Sequence, residues 1–282
     1  MHTGRDNVGP LDRVLYQRAS REHSSLRERL SSAAVHSLAT EVINRISERF
    51  KPQTTADTAL PSKTLEDFCH ALIREDDETC LSMINAMVPP NGPADRVYLP
   101  YLGSAARLLG TWWEEDKTTF SEVTIGAGRI YAMLCALRPA MIDTISPKDK
   151  HAIFAAVPGE QHFLGVTMAA DMFRAREWEI DLQTGRTHEE LIETFDHAAP
   201  AFVGLSASGV RSLVPLARLV VALRISHPGC FILLSGNAVE AGLGDTDVSG
   251  ADLVTSDLDI AFNAMEKIVI AVQSSASQAY RP

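Results

Sequence analysis

Two hydrophobic periods divide the chain. In its first half, apolar positions recur at three- and four-residue spacing, the period of an amphipathic helix. From His151 onward the period changes. Five short apolar runs, HAIFAAV, WEIDLQT, AFVGLSA, CFILLSG and DLVTS, are separated or followed by helical patterns over 163–176, 189–195, 210–225 and 258–272. The segment 237–249, after the fourth run, is the exception: a Gly-rich loop with at most a short helix. Strands alternating with helices predict βαβ units and a parallel sheet. Right-handed crossovers then put helices on both faces. Five strands predict the flavodoxin-like, Rossmann-like order 2-1-3-4-5.

The helical half has its own subdivisions. Residues 11–50 hold no Pro or Gly. Val14, Leu15, Leu26, Leu30, Val35, Leu38, Val42 and Ile46 form apolar stripes there, and Arg13, Arg18, Arg21, Arg27, Arg29, Arg45 and Arg49 fill the other faces. The pattern fits either a solvated helical extension or a docking arm. KPQTTADTALPSK is a linker by composition. Then follow TLEDFCHALIREDDETCLSMINAMV, split near 76–78, a second helix starting after Pro100, and FSEVTIGAGRIYAMLCALRPAMI, which together predict a small four-helix bundle. The expected organisation is an extension and linker over 1–60, a helical bundle over 61–147 and an α/β domain over 148–282.

Composition narrows the function. Hydrophobic residues make up 45% of the 282, enough for a full core, and the net charge of −10 argues against a protein whose task is coating nucleic acid. The charge is uneven: residues 1–51 carry nine Lys and Arg against six Asp and Glu, and the remainder carries 17 against 30. A basic head on an acidic body suits a partner-binding arm or weak, salt-sensitive DNA contact. No helix-turn-helix pattern points to sequence-specific DNA reading. Cys69, Cys80, Cys135 and Cys230 form no C-x-x-C pair and lie in apolar surroundings, so reduced core cysteines of a cytoplasmic protein are expected. No apolar run of about 18 residues predicts a membrane span, and the first residues lack an apolar signal core.

In a sheet of this kind, ligands bind beyond the carboxyl ends of the strands, where the order reverses between the first and third. Those ends read PGEQHFLG, SASG, SGNA and TSDLD. Small residues on adjacent strand ends leave an open slot, and His162 is the large donor ligand overhanging it. Placed in the first turn of a helix, where the positive dipole end disfavours imidazolium, its ring stays in the neutral, metal-binding form. Glu160 can take a hydrogen bond from the other ring nitrogen, fixing the tautomer. Gly165 lets a bulky ligand approach the helix. The same tripeptide also reads as an exposed histidine beside a helix-starting acid, and the residues alone leave both readings open.

Taken in order, Glu160, His162 and Gly165 as E-x-H-x-x-G, Ser206 and Ser208 as SAS, and Ser235, Gly236 and Asn237 as SGN, followed by GADLVTSDLDIAF, resemble the cobalamin-binding fold. Methionine synthase, corrinoid methyltransferase proteins and light-sensing cobalamin regulators share that fold, with D-x-H-x-x-G, S-x-L and G-G in these places. The resemblance covers about 60–272. It implies that His162 is the lower axial ligand of cobalt, displacing the cofactor's own benzimidazole, and that Glu160 is its partner. It also implies that Ser206, Gly236 and Ser208 line the displaced nucleotide tail. Glu160 in place of Asp lengthens one arm, and Ser235 in place of Gly narrows the slot. The helical bundle is implied to cap the upper face. Light-sensing relatives carry W-x9-E-H there; TWWEEDKTTFSEV offers Trp112 with Glu122 but Val123 for the histidine, and from Trp113 it meets Val123 and Thr124. No protein histidine is therefore expected on the upper cobalt face. Trp112 and Trp113 read equally as bundle core, and Glu122 reads equally as the acid of a capping box begun by Thr119.

The Arg-rich head, the E-x-H-x-x-G variant and the missing upper histidine are similar to the PpaA/AerR family of photosynthesis antirepressors. That similarity implies a cobalamin-binding, light-responsive regulator, not an enzyme, acting on a PpsR/CrtJ-type repressor of photopigment genes. A sister group on this fold holds heme, so a heme-binding redox sensor is one alternative. A corrinoid protein carrying methyl groups in a methyltransferase system is another, although it has no need of the Arg-rich extension. A cofactor-free interaction module is the last.

Overall fold

The computed structural model describes residues 11–50, 62–74, 76–87, 94–141, 150–236 and 250–279. The chain forms two units, Met1–Ile142 and Asp143–Pro282. Six helices are described in the first: α1 (Arg13–Arg29), α2 (Ser32–Arg49), α3 (Ser62–Arg74), α4 (Asp77–Met87), α5 (Ala94–Glu114) and α6 (Phe120–Met141). The centre is α6, against which α1, α2, α3 and α5 all pack.

This arrangement refines the sequence reading of the helices. Residues 11–50 are two helices, broken where Leu30 turns extended and the Ser31 hydroxyl accepts from the Ala34 N–H to start α2. They are not set apart from the bundle: α1 packs on α6, and α2 packs on α5 and α6, within one unit. The buried face of α1 is Tyr16, Ala19, Glu22 and Leu26, leaving Val14 72% exposed. Gly128 makes the close approach possible, since a Cβ there would lie 2.3 Å from Nδ1 of His23. The helix read as starting after Pro100 begins earlier: α5 starts at Ala94 and carries Pro100 inside it. The stretch Phe120–Arg138 of α6 is long and apolar enough to cross a membrane by length and composition, and 67% of it is buried, as suits the core helix of this unit.

The split near 76–78 falls between α3 and α4. Asp76 accepts from the Thr79 N–H at 2.8 Å to start α4. Arg129 of α6 ties the junction down, pairing with Asp77 at 2.9 Å and donating to the Leu72 carbonyl at the end of α3 at 2.7 Å.

The second unit has the topology read from the sequence. Its elements are β1 (His151–Ala156), α7 (Leu164–Arg174), β2 (Glu179–Gln183), α8 (His188–Ala198), β3 (Phe202–Ser206), α9 (Leu213–Ser226), β4 (Phe231–Ser235), β5 (Leu253–Val254) and α10 (Leu258–Ala279). The sheet runs β2-β1-β3-β4-β5, every neighbouring pair parallel. It is a Rossmann-like α/β fold. On the face that packs against α7 and α10, alternate strand residues meet Val166, Ala170 and Phe173 of α7 and Ala261, Met265 and Val269 of α10. Aromatic edges lock this layer: Phe154 on Phe173 at 5.0 Å, Phe173 on Trp178 at 5.8 Å, and Trp178 on Phe202 at 5.2 Å. Helix α9 is buried nearly all round, and its Arg224 donates to the Cys230 and Gly250 carbonyls and to Asp252. Asp252 also accepts from the Ile232 N–H, so this charge pair staples the β4–β5 edge.

Candidate functional site

The sheet register sets the site. Phe154, Gly204 and Leu233 lie side by side across β1, β3 and β4. Two residues nearer the carboxyl edge, Ala156, Ser206 and Ser235 form the next row on the same face. These are small side chains, and a cavity of about 270 Å³ opens above them. Its walls include Gly165, Val166, Ala169 and Phe173 of α7 and Leu258 and Ala261 of α10. Gly236 and the turn residues Thr255, Ser256 and Asp257 form the rim.

Two glycines there do different things. Gly236 has φ +103°, and a Cβ would stand 2.4 Å from the Ala207 carbonyl oxygen, so backbone geometry demands it. At Gly165 a Cβ would meet nothing within 4 Å. Glycine costs a helix about 1 kcal/mol relative to alanine, and no protein neighbour requires it here. What Gly165 provides is open volume on the first turn of α7.

The turn after β1 positions the charged group. Val157, Pro158, Gly159 and Glu160 form a β-turn closed by the Glu160 N–H on the Val157 carbonyl at 3.1 Å, with Gly159 at φ +82°. Proline second and a positive-φ glycine third are the residues a type II turn requires. The turn drops the Glu160 side chain into the protein, where it is 3% exposed. Its Oε1 accepts the N–H groups of Gln161 and His162, each at 2.9 Å, and faces Nδ1 of His162 at 3.0 Å. Its Oε2 accepts the Ser208 N–H at 2.9 Å and the Ser212 hydroxyl at 3.3 Å. Burial pushes the carboxyl pKa up, but the hydrogen bonds from Ser208, His162 and Gln161 outweigh it and hold the group down at about 2. Glu160 is therefore an acceptor only, so Nδ1 of His162 donates and Nε2 is the nitrogen turned outward. The His162 side chain is 82% exposed.

His162 does not sit in the first turn of α7. The helix begins at Leu164 with Phe163 as N-cap, and no side chain caps it. The dipole argument for a neutral ring therefore does not hold here, whereas Glu160 fixes which ring nitrogen faces inward, as the sequence reading expected. One imidazole offers one ligand bond, and no set of three or more His, Cys, Asp or Glu gathers among the described residues. A metal held at Nε2 would need its remaining ligands from a group that carries it.

The other sequence candidates divide clearly. Ser206, Ser235, Gly236 and Gly165 line the cavity. Ser208 contributes through its backbone N–H to Glu160. Asn237 lies outside the described residues. Trp112, Trp113 and Glu122 belong to the helical unit. There the Trp112 ring packs on His70 at 4.7 Å, and Trp113 meets the His36 ring at 4.8 Å, both indoles half-buried. Glu122 forms the capping box of α6: its Oε2 accepts the Thr119 N–H at 2.8 Å, and its own N–H donates to the Thr119 hydroxyl at 3.3 Å. These hydrogen bonds lower its carboxyl pKa. Val123, where the W-x9-E-H pattern has histidine, is wholly buried. Ser212 was not singled out from sequence; its one signal is a hydroxyl residue at the start of the helix that follows β3.

No protein-family model matches this chain. A Rhodobacter capsulatus protein, described as an uncharacterized 20.5 kDa protein in the bchF-crtJ intergenic region, is 26% identical over 171 residues, 60% of this chain and 89% of that one. A cobalamin-binding protein from Desulfitobacterium hafniense overlays with TM-score 0.38 at 17% identity, covering 72% of this chain and 97% of that one. The monomethylamine corrinoid protein of Methanosarcina barkeri gives 0.36 at 14% identity, covering 74% and 98%. The methanol:cobalamin methyltransferase complex MtaBC of the same organism gives 0.36 at 15%, covering 78% and 83%.

Proposed function

We propose that the chain is a cytoplasmic cobalamin-binding regulator, light-responsive and without catalytic residues, of the kind that relieves a PpsR/CrtJ-type repressor. The observation that carries the cofactor reading is His162: its Nδ1 is pinned on a buried, ionised carboxylate and its imidazole stands exposed after β1, three residues before Gly165 of the cavity wall. The residues fit the group. His162 would hold cobalt through Nε2, with Glu160 as its partner and Ser208 and Ser212 fixing that carboxylate. Gly165, Ser206, Ser235 and Gly236 give room for the nucleotide tail. When bound, cobalamin supplies a coloured cobalt centre with an exchangeable axial position, so that illumination or ligand exchange can bias a bistable contact.

The regulatory part is supported by the Rhodobacter relative, named for its place between bchF and crtJ, and by the arginine-rich faces of α1 and α2. Several of those arginines already pair within the unit, Arg13 with Glu78 and Arg45 with Glu41 at 2.8 Å each, which leaves any DNA contact weak. The test is to purify the chain in darkness with hydroxo-, methyl- and adenosylcobalamin, and separately with hemin, and to record spectra before and after illumination. A cobalamin spectrum that changes in light, and whose axial signature is lost in His162→Ala, is the expected result. A spectrum with hemin alone, or an unchanged spectrum in His162→Ala, overturns the assignment. Full-strength capture of a PpsR/CrtJ-type repressor by a chain lacking α1 and α2 would remove their docking role.

A further inference from the structure

We propose, resting on the cobalamin reading above, that the cavity between α7 and α10 selects among corrinoids by their lower base, taking an apolar benzimidazole in preference to a purine. The cavity is graded in polarity along the strands. Its inner row is Phe154, Gly204 and Leu233, faced by Val166 and Phe173 of α7. These side chains carry no polar atom, and the backbone here pairs within the parallel sheet. The outer row adds the hydroxyls of Ser206 and Ser235, and Thr255, Ser256 and Asp257 follow at the rim. Among the described residues, every polar side chain lining the cavity is therefore at its mouth.

The two bases differ at their far edges. A benzimidazole presents a hydrocarbon ring there and keeps its nitrogens on the side that carries the sugar. A purine presents further ring nitrogens and an exocyclic amine at the edge that would reach the inner row. Those groups would give up water and find no partner, while the ribose and phosphate of either tail meet the same hydroxyls at the mouth. Each unpaired buried polar group lowers affinity by about tenfold or more.

The whole chain, purified without cofactor, is titrated in dim light with hydroxocobalamin, with its analogue carrying adenine as the lower base, and with cobinamide, which has no nucleotide tail. Affinity is read from the corrin absorption bands. The expected result is cobalamin binding about tenfold or more tighter than either of the others. Equal affinity for cobalamin and the adenine analogue overturns the inference and leaves the cofactor reading standing. Failure of all three to bind overturns both. Ala169→Leu, which puts a branched side chain into the cavity from the wall of α7, is expected to bring cobalamin affinity down toward that of cobinamide. A folded Ala169→Leu protein that keeps the full preference for cobalamin also overturns it.

Discussion

Glu160→Gln tests the centre of the site most directly. The carboxyl lies near 2 in the folded chain against an ordinary 4.5. That difference corresponds to about 3 kcal/mol of stability at neutral pH. The hydrogen bonds give a compatible figure. Both oxygens accept N–H groups, from Gln161 and His162 on one side and Ser208 on the other. An amide must turn its NH₂ toward one of these donors. It loses charge-assisted bonds worth about 1.5–3 kcal/mol each and leaves a buried donor unpaired. The sign follows from the depressed carboxyl: its contribution is present above about pH 4.5 and is lost as pH falls toward 2. Trp178 is a buried reporter in the α/β unit, so unfolding can be followed by its fluorescence after Trp112 and Trp113 are replaced by Phe. Denaturant unfolding at pH 7 should show Glu160→Gln about 3 kcal/mol less stable than its parent, with the gap closing below pH 4. A loss under about 1 kcal/mol at pH 7, or a gap that does not close in acid, refutes the reasoning.

Other expectations follow from single contacts. Arg224→Met, which strips partners from Asp252 and from two carbonyls, should destabilise the α/β unit by about 3–5 kcal/mol in the same Trp178 assay. Ala199 ends α8 in the left-handed region at φ 44°, so Ala199→Gly should raise the melting temperature, by an amount corresponding to about 1 kcal/mol at most once the added freedom of the unfolded chain is set against it. Gly128→Ala should destabilise the helical unit by about 1–3 kcal/mol through overlap with His23, and His23→Ala should recover most of that loss in a double-mutant cycle by thermal melting followed by circular dichroism.

What could be read from the sequence was what is locally encoded. The strand runs have period or length of their own, the βαβ rule orders them, and VPGE states its turn through proline and glycine. The carboxyl-edge rule then placed Glu160, His162, Gly165 and the serines without a structure. Ser212 escaped because its contact with Glu160 spans 52 residues and depends on where α9 starts. The docking of α1 escaped for a similar reason. Its buried stripe includes Glu22, and its seat on α6 is prepared by Gly128, a residue far along the chain with no local sign of its purpose. Glu122 shows the opposite case. Of its two readings the capping box needs only near neighbours, and Thr118 and Thr119 do donate to the carboxylate.

The bond between Glu160 and Nδ1 has one more result. A free imidazole can offer either nitrogen to an electrophile by flipping its ring. In this chain a flip would trade a hydrogen bond to a buried anion for nothing, so the ring turns only one of its two faces of reactivity outward. His162 is thus held with Nδ1 turned to the carboxylate and Nε2 turned outward, so a metal or acylating reagent reaching the ring meets Nε2 first.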